Sequence, residues 1–544
     1  MSDPRQVVAV LGSALRNRDV RRAELAWGAA IAAEWAHFVA FGVFAYEEGG
    51  ASAVGIAGLV RLLPAAVVAP FAASLGDRFP RERFLLATIL VGAAALGGSA
   101  AAFIADAEVL VFAFAALLGL AVTLIRPALQ ALLPSLARTP EELIASNGAT
   151  STVESLGTLL GPLVAGILVS VADAGLVFAL GAGALLLAAI LVARVRVEGD
   201  VVLASAADEG GARRMLAAGF RAIASAPRAR LVVSLIFAQA FVRGCLNVLI
   251  VVAAFRVLDA GGEAVGYMTA ALGVGGLLGA VGAMTLGGRR LAVPFGVALV
   301  FWGLPIMLIG PWPELVAAIF LLTVVGAANS VEDVAAFTLL QRLVPDRVLT
   351  RVLGVIWSLA MAGVALGSIA APAVIDAIGP RPAFVAVGAI LPLLALLAYR
   401  RLVEIDRAVV PAPELALIQQ VPMFAPLSVA AKERVAANLV QQSVAPGEVV
   451  IRAGEIGDRF FIVGDGELEI SADGLRRIAR KSDYFGEIAL LRDVPRTATV
   501  KALVDTRLYA LQREDFLAVV TGHEAARAAG HAVAEERLAR TRRT

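Results

Sequence analysis

Apolar stretches of roughly 18 to 20 residues, each long enough to cross a bilayer core, recur from about Ala23 to Leu402 between short polar breaks. Twelve windows fit that length: 24-46, 52-75, 83-104, 109-134, 146-172, 175-194, 229-255, 264-287, 291-310, 313-340, 350-377 and 381-402. Water is absent from a hydrocarbon core, so each window must satisfy its backbone internally, and an α-helix does so within one segment. With 59% hydrophobic and 17% charged residues, the chain is far from a soluble enzyme. A net charge of +2 leaves no broad basic surface for duplex binding, so nucleic acid is not an expected partner.

Arginines fix the expected orientation. Arg16, Arg18, Arg21 and Arg22 precede the first window; Arg78, Arg81 and Arg83 follow the second; Arg213, Arg214, Arg221 and Arg228 lie in the break at 195-230. The alternate loops carry Glu47, Glu48, Asp106, Glu108, Asp173 and Asp259. The positive-inside rule then places both termini in the cytoplasm of a multi-pass protein of the cell (inner) membrane. The amino-terminal stretch, with no uninterrupted apolar core, reads as no cleaved signal peptide. In the break, Leu216, Phe220 and Ile223 form one apolar stripe, as an amphipathic surface helix would.

The windows read as six plus six. Gly148, Gly157 and Gly161 recur as Gly354, Gly363 and Gly367, 206 residues later. Two similar halves suit alternating access about a site near the midplane, although small residues at this spacing also let any two membrane helices approach closely.

The texture changes after Arg401. All three lysines lie beyond it, and short alternating runs are broken by glycines at 447, 454, 457, 464, 466 and 474, where hairpin turns favour positive φ. The reading is a transporter-like part at 1-402, with 195-230 as its central linker, and a soluble domain at 403-544. The second part is expected to be a β-jelly-roll flanked by helices, with DRFFIVGDGELEIS as one hairpin. The fold class is thus an all-α polytopic domain followed by a jelly roll.

The most specific string is FGEIALLRDVPRTATV, 485-500. Gly486 opens a short helix whose free N–H groups suit a phosphate, Glu487 can accept hydroxyl protons, and Arg496 adds a guanidinium. With VPMFAPL and PGEVVIRAGEIGDRFFIVGDGELEI upstream, it resembles the cyclic nucleotide-binding domain over roughly 412-535. That resemblance implies a cyclic nucleotide as regulatory ligand: Glu487 on the ribose 2′-hydroxyl, Arg496 on the cyclic phosphate, and N–H groups at Ile488 and Ala489 completing the cradle. Thr497 bears on cyclic AMP against cyclic GMP, and cyclic AMP is favoured.

ASLGDRFPRERF, 73-84, is similar to the loop between helices 2 and 3 of major facilitator superfamily transporters. The resemblance implies that Asp77, Arg78 and Arg81 form a gating latch. Gly157, Gly161 and Pro162 in NGATSTVESLGTLLGPLVAG resemble the fifth-helix motif of members that export drugs or metabolites in exchange for protons.

Ionisable groups inside membrane windows are costly and therefore functional candidates. Glu34 is the first candidate for a proton-titrating group, with Glu154 second and Arg126 as a charged companion; Glu34 could also be held in a structural pair with Arg126 or Arg61. The expected function is a proton-coupled exporter of small organic molecules regulated by cyclic nucleotide. The alternative is a membrane-anchored nucleotide receptor without transport. Three scattered histidines, His37, His523 and His531, and the single Cys245 build no metal site and suggest no enzyme.

Overall fold

A computed structural model of the chain describes residues 17–68, 79–136, 140–195, 217, 219–283, 290–344, 346–408, 414–425, 427, 432, 435–436, 438–472, 475–521, 532 and 535. It divides into two compact units, Met1–Ala408 and Val409–Thr544.

Among the described residues of the first unit, eleven helices are long and apolar enough to cross a membrane. The first, Arg18–Val68, contains 51 residues, about 75 Å of helix at 1.5 Å per residue, more than twice a bilayer core. Its backbone leaves the helical region at Gly49 and Gly50, the latter at φ +60°, a conformation that glycine adopts at no Cβ cost. Two spans result, α1 (18–48) and α2 (51–68), giving twelve. The others are α3 (Arg81–Ile104), α4 (Glu108–Leu136), α5 (Pro140–Val171), α6 (Ala174–Ala193), α7 (Pro227–Val252), α8 (Gly261–Ala283), α9 (Ala292–Ile309), α10 (Leu315–Leu343), α11 (Asp346–Ile378) and α12 (Pro380–Ala408). The sequence windows therefore mark every span, most often a few residues short at one end.

The repeated glycines lie where helices touch. A Cβ at Gly157 would lie 2.5 Å from Ile31 Cγ2, and one at Gly161 would lie 2.6 Å from the Ala32 carbonyl, so α5 packs backbone to backbone on α1. Gly363 and Gly367 do the same on α7, against Phe237 and Phe241. Equivalent helices thus pack equivalently in the two halves. In the second triplet close approach is confined to the last two glycines, because Gly354 faces open space. The halves meet along two further seams. Gly55 and Gly58 of α2 lie against Ser368 of α11, and Gly166 of α5 lies against Gly266 of α8.

Residues 219–225 of the central break are helical. The expected stripe is only partly realised: Ile223 is buried in the membrane unit's core, whereas Phe220 is 49% exposed. Leu216 lies outside the described residues.

The second unit begins with α13 (Glu414–Gln420) and holds two four-stranded sheets, in the orders β1-β8-β3-β6 and β2-β7-β4-β5. Their strands are β1 (Val440–Val444), β2 (Val449–Ile451), β3 (Arg459–Asp465), β4 (Leu468–Ala472), β5 (Leu475–Ala479), β6 (Tyr484–Phe485), β7 (Thr499–Ala502) and β8 (Thr506–Gln512), with α14 (Glu487–Arg492) and α15 (Arg513–Thr521) beside them. DRFFIVGDGELEIS is not a hairpin: β3 pairs with β8 and β6, whereas β4 pairs with β5 and β7. The chain changes sheet at Gly466, φ +102°. Phe461 and Val463 of β3 and Leu468 of β4 meet between the sheets in one apolar cluster, and Phe460 and Ile462 of β3 join Phe424 and Phe516 in the other.

Candidate functional site

In the second unit, Gly486 sits at φ +93°, turning the chain from β6 into α14. The first N–H groups of a helix, here those around Ile488 and Ala489, find no acceptor in a preceding helical turn. Arg496 lies on the loop that returns from α14 to β7 and is 6% exposed. It is fixed at both ends. Its backbone N–H donates to the Glu455 carbonyl at 2.8 Å, and its carbonyl accepts from Gly454 at 2.8 Å. Its Nη1 donates to the Gly486 carbonyl at 3.0 Å and its Nη2 to the Arg459 carbonyl at 2.7 Å, with Asp458 Oδ1 3.6 Å away.

Burial pushes the Arg496 guanidinium down from its ordinary value, while the carboxylates of Asp458, Glu487 and Glu455 pull it back up. It remains a cation under physiological conditions, because arginine starts so far above neutrality. Gly457 must be small, since a Cβ there would lie 2.8 Å from Ala489 Cβ and 3.2 Å from the guanidinium carbon. A cavity of about 280 Å³ opens beside these groups, lined among others by Val449, Ile451, Glu455, Asp458, Arg459 and Arg496. Arg496 reaches this cavity. Glu487 is 1% exposed and does not line it; Ile488 is half-buried, Ala489 buried and Thr497 exposed. Asp458 and the carbonyls of Gly486 and Arg459 were not legible as site groups from residue type alone. The Gly-Asp at 457-458 was the only hint of them.

In the membrane unit, Glu34 of α1 is paired with Arg61 of α2 at 2.8 Å, and Arg61 also lies over the Phe38 ring, 5.0 Å from its centre. Glu154 of α5 pairs with Arg126 of α4 at 3.1 Å. The four charges therefore form two separate pairs, of which the first is the more buried: side-chain exposures are 14% and 20%, against 49% for Arg126. His37 is buried, stacked on Phe41 and tilted against Phe178. Arg81 begins α3, whereas Asp77 and Arg78 lie outside the described residues. Pro162 sits inside α5, and its carbonyl faces Gly266 of α8 across the seam between the halves.

Residues 25–359 match the family model of the Major Facilitator Superfamily. The chain belongs to that superfamily. Residues 441–523 match the model of the cyclic nucleotide-binding domain, so a superfamily transporter domain and a cyclic nucleotide-binding domain share one polypeptide. Over this second region the chain is 37% identical across 102 residues, 18% of its own length and 27% of the relative, to a cAMP-dependent protein kinase regulatory subunit of Yarrowia lipolytica. It is 39% identical over 93 residues, 16% of its length and 23% of the relative, to the subunit of the same name from Blastocladiella emersonii. A solved structure described as Sp-2Cl-cAMPS bound to PKAR CBD2 is 35% identical, covering 20% of this chain and 75% of that one, with a TM-score of 0.19. The chain spans about a quarter of the length of the curated relatives it matches.

Proposed function

We propose that this superfamily member exports small organic molecules in exchange for protons across the cell (inner) membrane, with both termini cytoplasmic. Cyclic nucleotide held by residues 441–523, cyclic AMP in preference to cyclic GMP, biases its conformational equilibrium. The observation that carries the regulatory half is the buried Arg496, which lines a cavity and donates to the carbonyl of the positive-φ Gly486 that opens α14. The names of the similar kinase regulatory subunits support cyclic AMP as the ligand.

Arg496 would exchange its carbonyl partners for two phosphate oxygens, Glu487 would receive the ribose hydroxyl, and the N–H groups at Ile488 and Ala489 would face the phosphate. Thr497, exposed and next to Arg496 in the chain, would bear on the choice of base. For the transport half, Glu34 and then Glu154 are the carboxylates of the first six helices that would exchange a proton, with Arg61 and Arg126 released when they do. Asp77, Arg78 and Arg81 would latch the α2–α3 connection in one state, and Gly157, Gly161 and Pro162 would set how α5 bends and packs. A ligand shifts such an equilibrium only by its differential affinity for the two states, and about 1 to 3 kcal/mol gives several-fold to hundredfold effects.

The test is proton-driven efflux of dyes and siderophore-like compounds from liposomes holding the full chain, with and without saturating cyclic AMP, beside Arg496→Ala. A nucleotide-dependent rate in the wild type, lost in the variant, supports the reading. Efflux indifferent to nucleotide removes regulation. Absence of efflux for every solute favours a membrane-anchored receptor.

A further inference from the structure

A third group of charges lies in the last six helices. The string Asn329-Ser330-Val331-Glu332-Asp333 falls in the second half of α10, and in a helix Asn329 shares a face with the residues three and four positions on. Asn329 joins its own helix to two others. Its Oδ1 accepts from Gln239 Nε2 of α7 and from Trp302 Nε1 of α9, both at 3.2 Å, and its Nδ2 donates to Asp333 Oδ2 at 2.9 Å. Asp333, the next residue, is exposed at the protein surface. Glu332 is only 2% exposed, and its Oε2 is buried with no hydrogen-bond partner among the described residues.

The charges there do not balance. Two neighbouring carboxylates are faced by one cation, Arg243 of α7, one helical turn beyond Gln239, whose charge is felt by both. Among the described residues, the other helices packed against α10 place no further cation beside the pair. α9 carries no ionisable side chain, and α8 carries Glu263 and Tyr267 in its first two turns only. α11 touches α10 through Trp357 on Phe337 and carries Arg351 and Asp376 toward its ends, while Arg342 lies ten residues further along α10 itself. A carboxylate with an orphaned buried oxygen lacks the hydrogen bonds that would hold it there as an ion. Arg126 of α4 and Glu332 of α10 also stand 206 residues apart, the interval of the glycine repeat. Equivalent places in the two halves thus hold opposite charges.

We propose that Glu332 carries an exchangeable proton, so that the acidic pair of α10 is a proton site distinct from the Glu34 and Glu154 pairs. Release breaks the O–H bond of Glu332; the electron pair stays on the carboxylate, and the proton passes to water at the exposed Asp333. Uptake reverses the step. The Asn329 bridge couples the event to α7 and α9, because the amide that orients Asp333 is the one gripped by Gln239 and Trp302. The use of this proton in transport rests on the proton-exchange reading above, but its occupancy does not.

Infrared difference spectroscopy on the full chain in phosphatidylcholine vesicles, stepping pH at fixed sodium, tests it. The wild type is expected to show a protonated-carboxyl carbonyl band that declines as pH rises. Glu332→Gln should lack that component, Glu332→Asp should keep it at a shifted midpoint, and Asp333→Asn should keep it. If Glu332→Gln does not fold, the shift in Glu332→Asp carries the test. A carboxyl band identical in wild type and both Glu332 variants overturns the proposal. So does a band that responds to sodium at fixed pH, which would mark a cation site. A chain that shows the Glu332 band but moves no solute retains the proton site and loses the transport reading; efflux without the band does the reverse.

Discussion

Arg496 donates from Nη1 to the Gly486 carbonyl at 3.0 Å, and the missing side chain of Gly486 is what lets it do so. A Cβ at 486 would lie 2.6 Å from that nitrogen and 3.0 Å from the Arg459 carbonyl, on a backbone at φ +93°. Gly486→Ala is therefore expected to cost about 1 to 2 kcal/mol of backbone strain and to displace the guanidinium as well. Titration calorimetry with cyclic AMP should show at least tenfold weaker binding, while the domain still unfolds cooperatively. Unchanged affinity would separate Gly486 from the nucleotide site.

Arg496→Lys tests geometry rather than charge. Lysine keeps the cation but not the planar fork that reaches two carbonyls, Gly486 and Arg459, from one side chain. A charge-assisted contact contributes about 1.5 to 3 kcal/mol, which is roughly ten- to a hundredfold in affinity. Arg496→Lys should lose most of that and Arg496→Ala all of it, read by calorimetry on the full chain. Equal affinities in wild type and Arg496→Lys would show that charge alone suffices.

The two ion pairs of the first six helices should respond unequally. Glu34 and Arg61 are largely buried and Arg126 is half-exposed. Removing one partner of a buried pair leaves an uncompensated charge and costs about 3 kcal/mol, whereas an exposed pair is worth less than about 1 kcal/mol. Glu34→Gln should lower the Tm in detergent well below that of Glu154→Gln, and adding Arg61→Gln should recover part of the loss. Equal Tm values would show that the apolar surroundings strengthen both pairs alike.

How much of this the sequence displayed depends on whether the signal was local. Twelve spans were legible because a bilayer imposes one length on every helix, so even the 51 residues of Arg18–Val68 read as two. Gly157 and Gly161 were legible as packing positions, but that α5 meets α1 through them is a tertiary fact. The β3–β4 segment misled because a turn glycine looks the same in a hairpin and where the chain changes sheet; only the partner strands β8 and β7 distinguish them. Arg496 could be named from its motif. Its holders, Asp458 and two carbonyls, could not, since a carbonyl carries no residue identity. Gln239, Asn329 and Trp302 escaped notice because each is unremarkable alone and becomes a network only when α7, α9 and α10 pack.

Asp406 shows the same limit and supplies the last expectation. Near the end of α12, its carboxylate accepts from the Ala292 and Val293 N–H groups at 2.8 Å each, capping the start of α9 from 114 residues away in sequence. It is 4% exposed, so water does not replace it easily, and its negative charge also meets the positive end of the α9 dipole. Asp406→Ala removes the cap and leaves two donors buried, with an expected cost of about 1 to 2 kcal/mol. Asp406→Asn keeps one acceptor and should cost about half as much. Tm measurements should rank wild type above Asp406→Asn above Asp406→Ala, with hydrogen exchange accelerated at the first turn of α9. Because Asp406 lies outside residues 441–523, cyclic AMP affinity of the full chain should not change; a coincident loss of affinity would mean that this cap transmits strain into the nucleotide-binding domain.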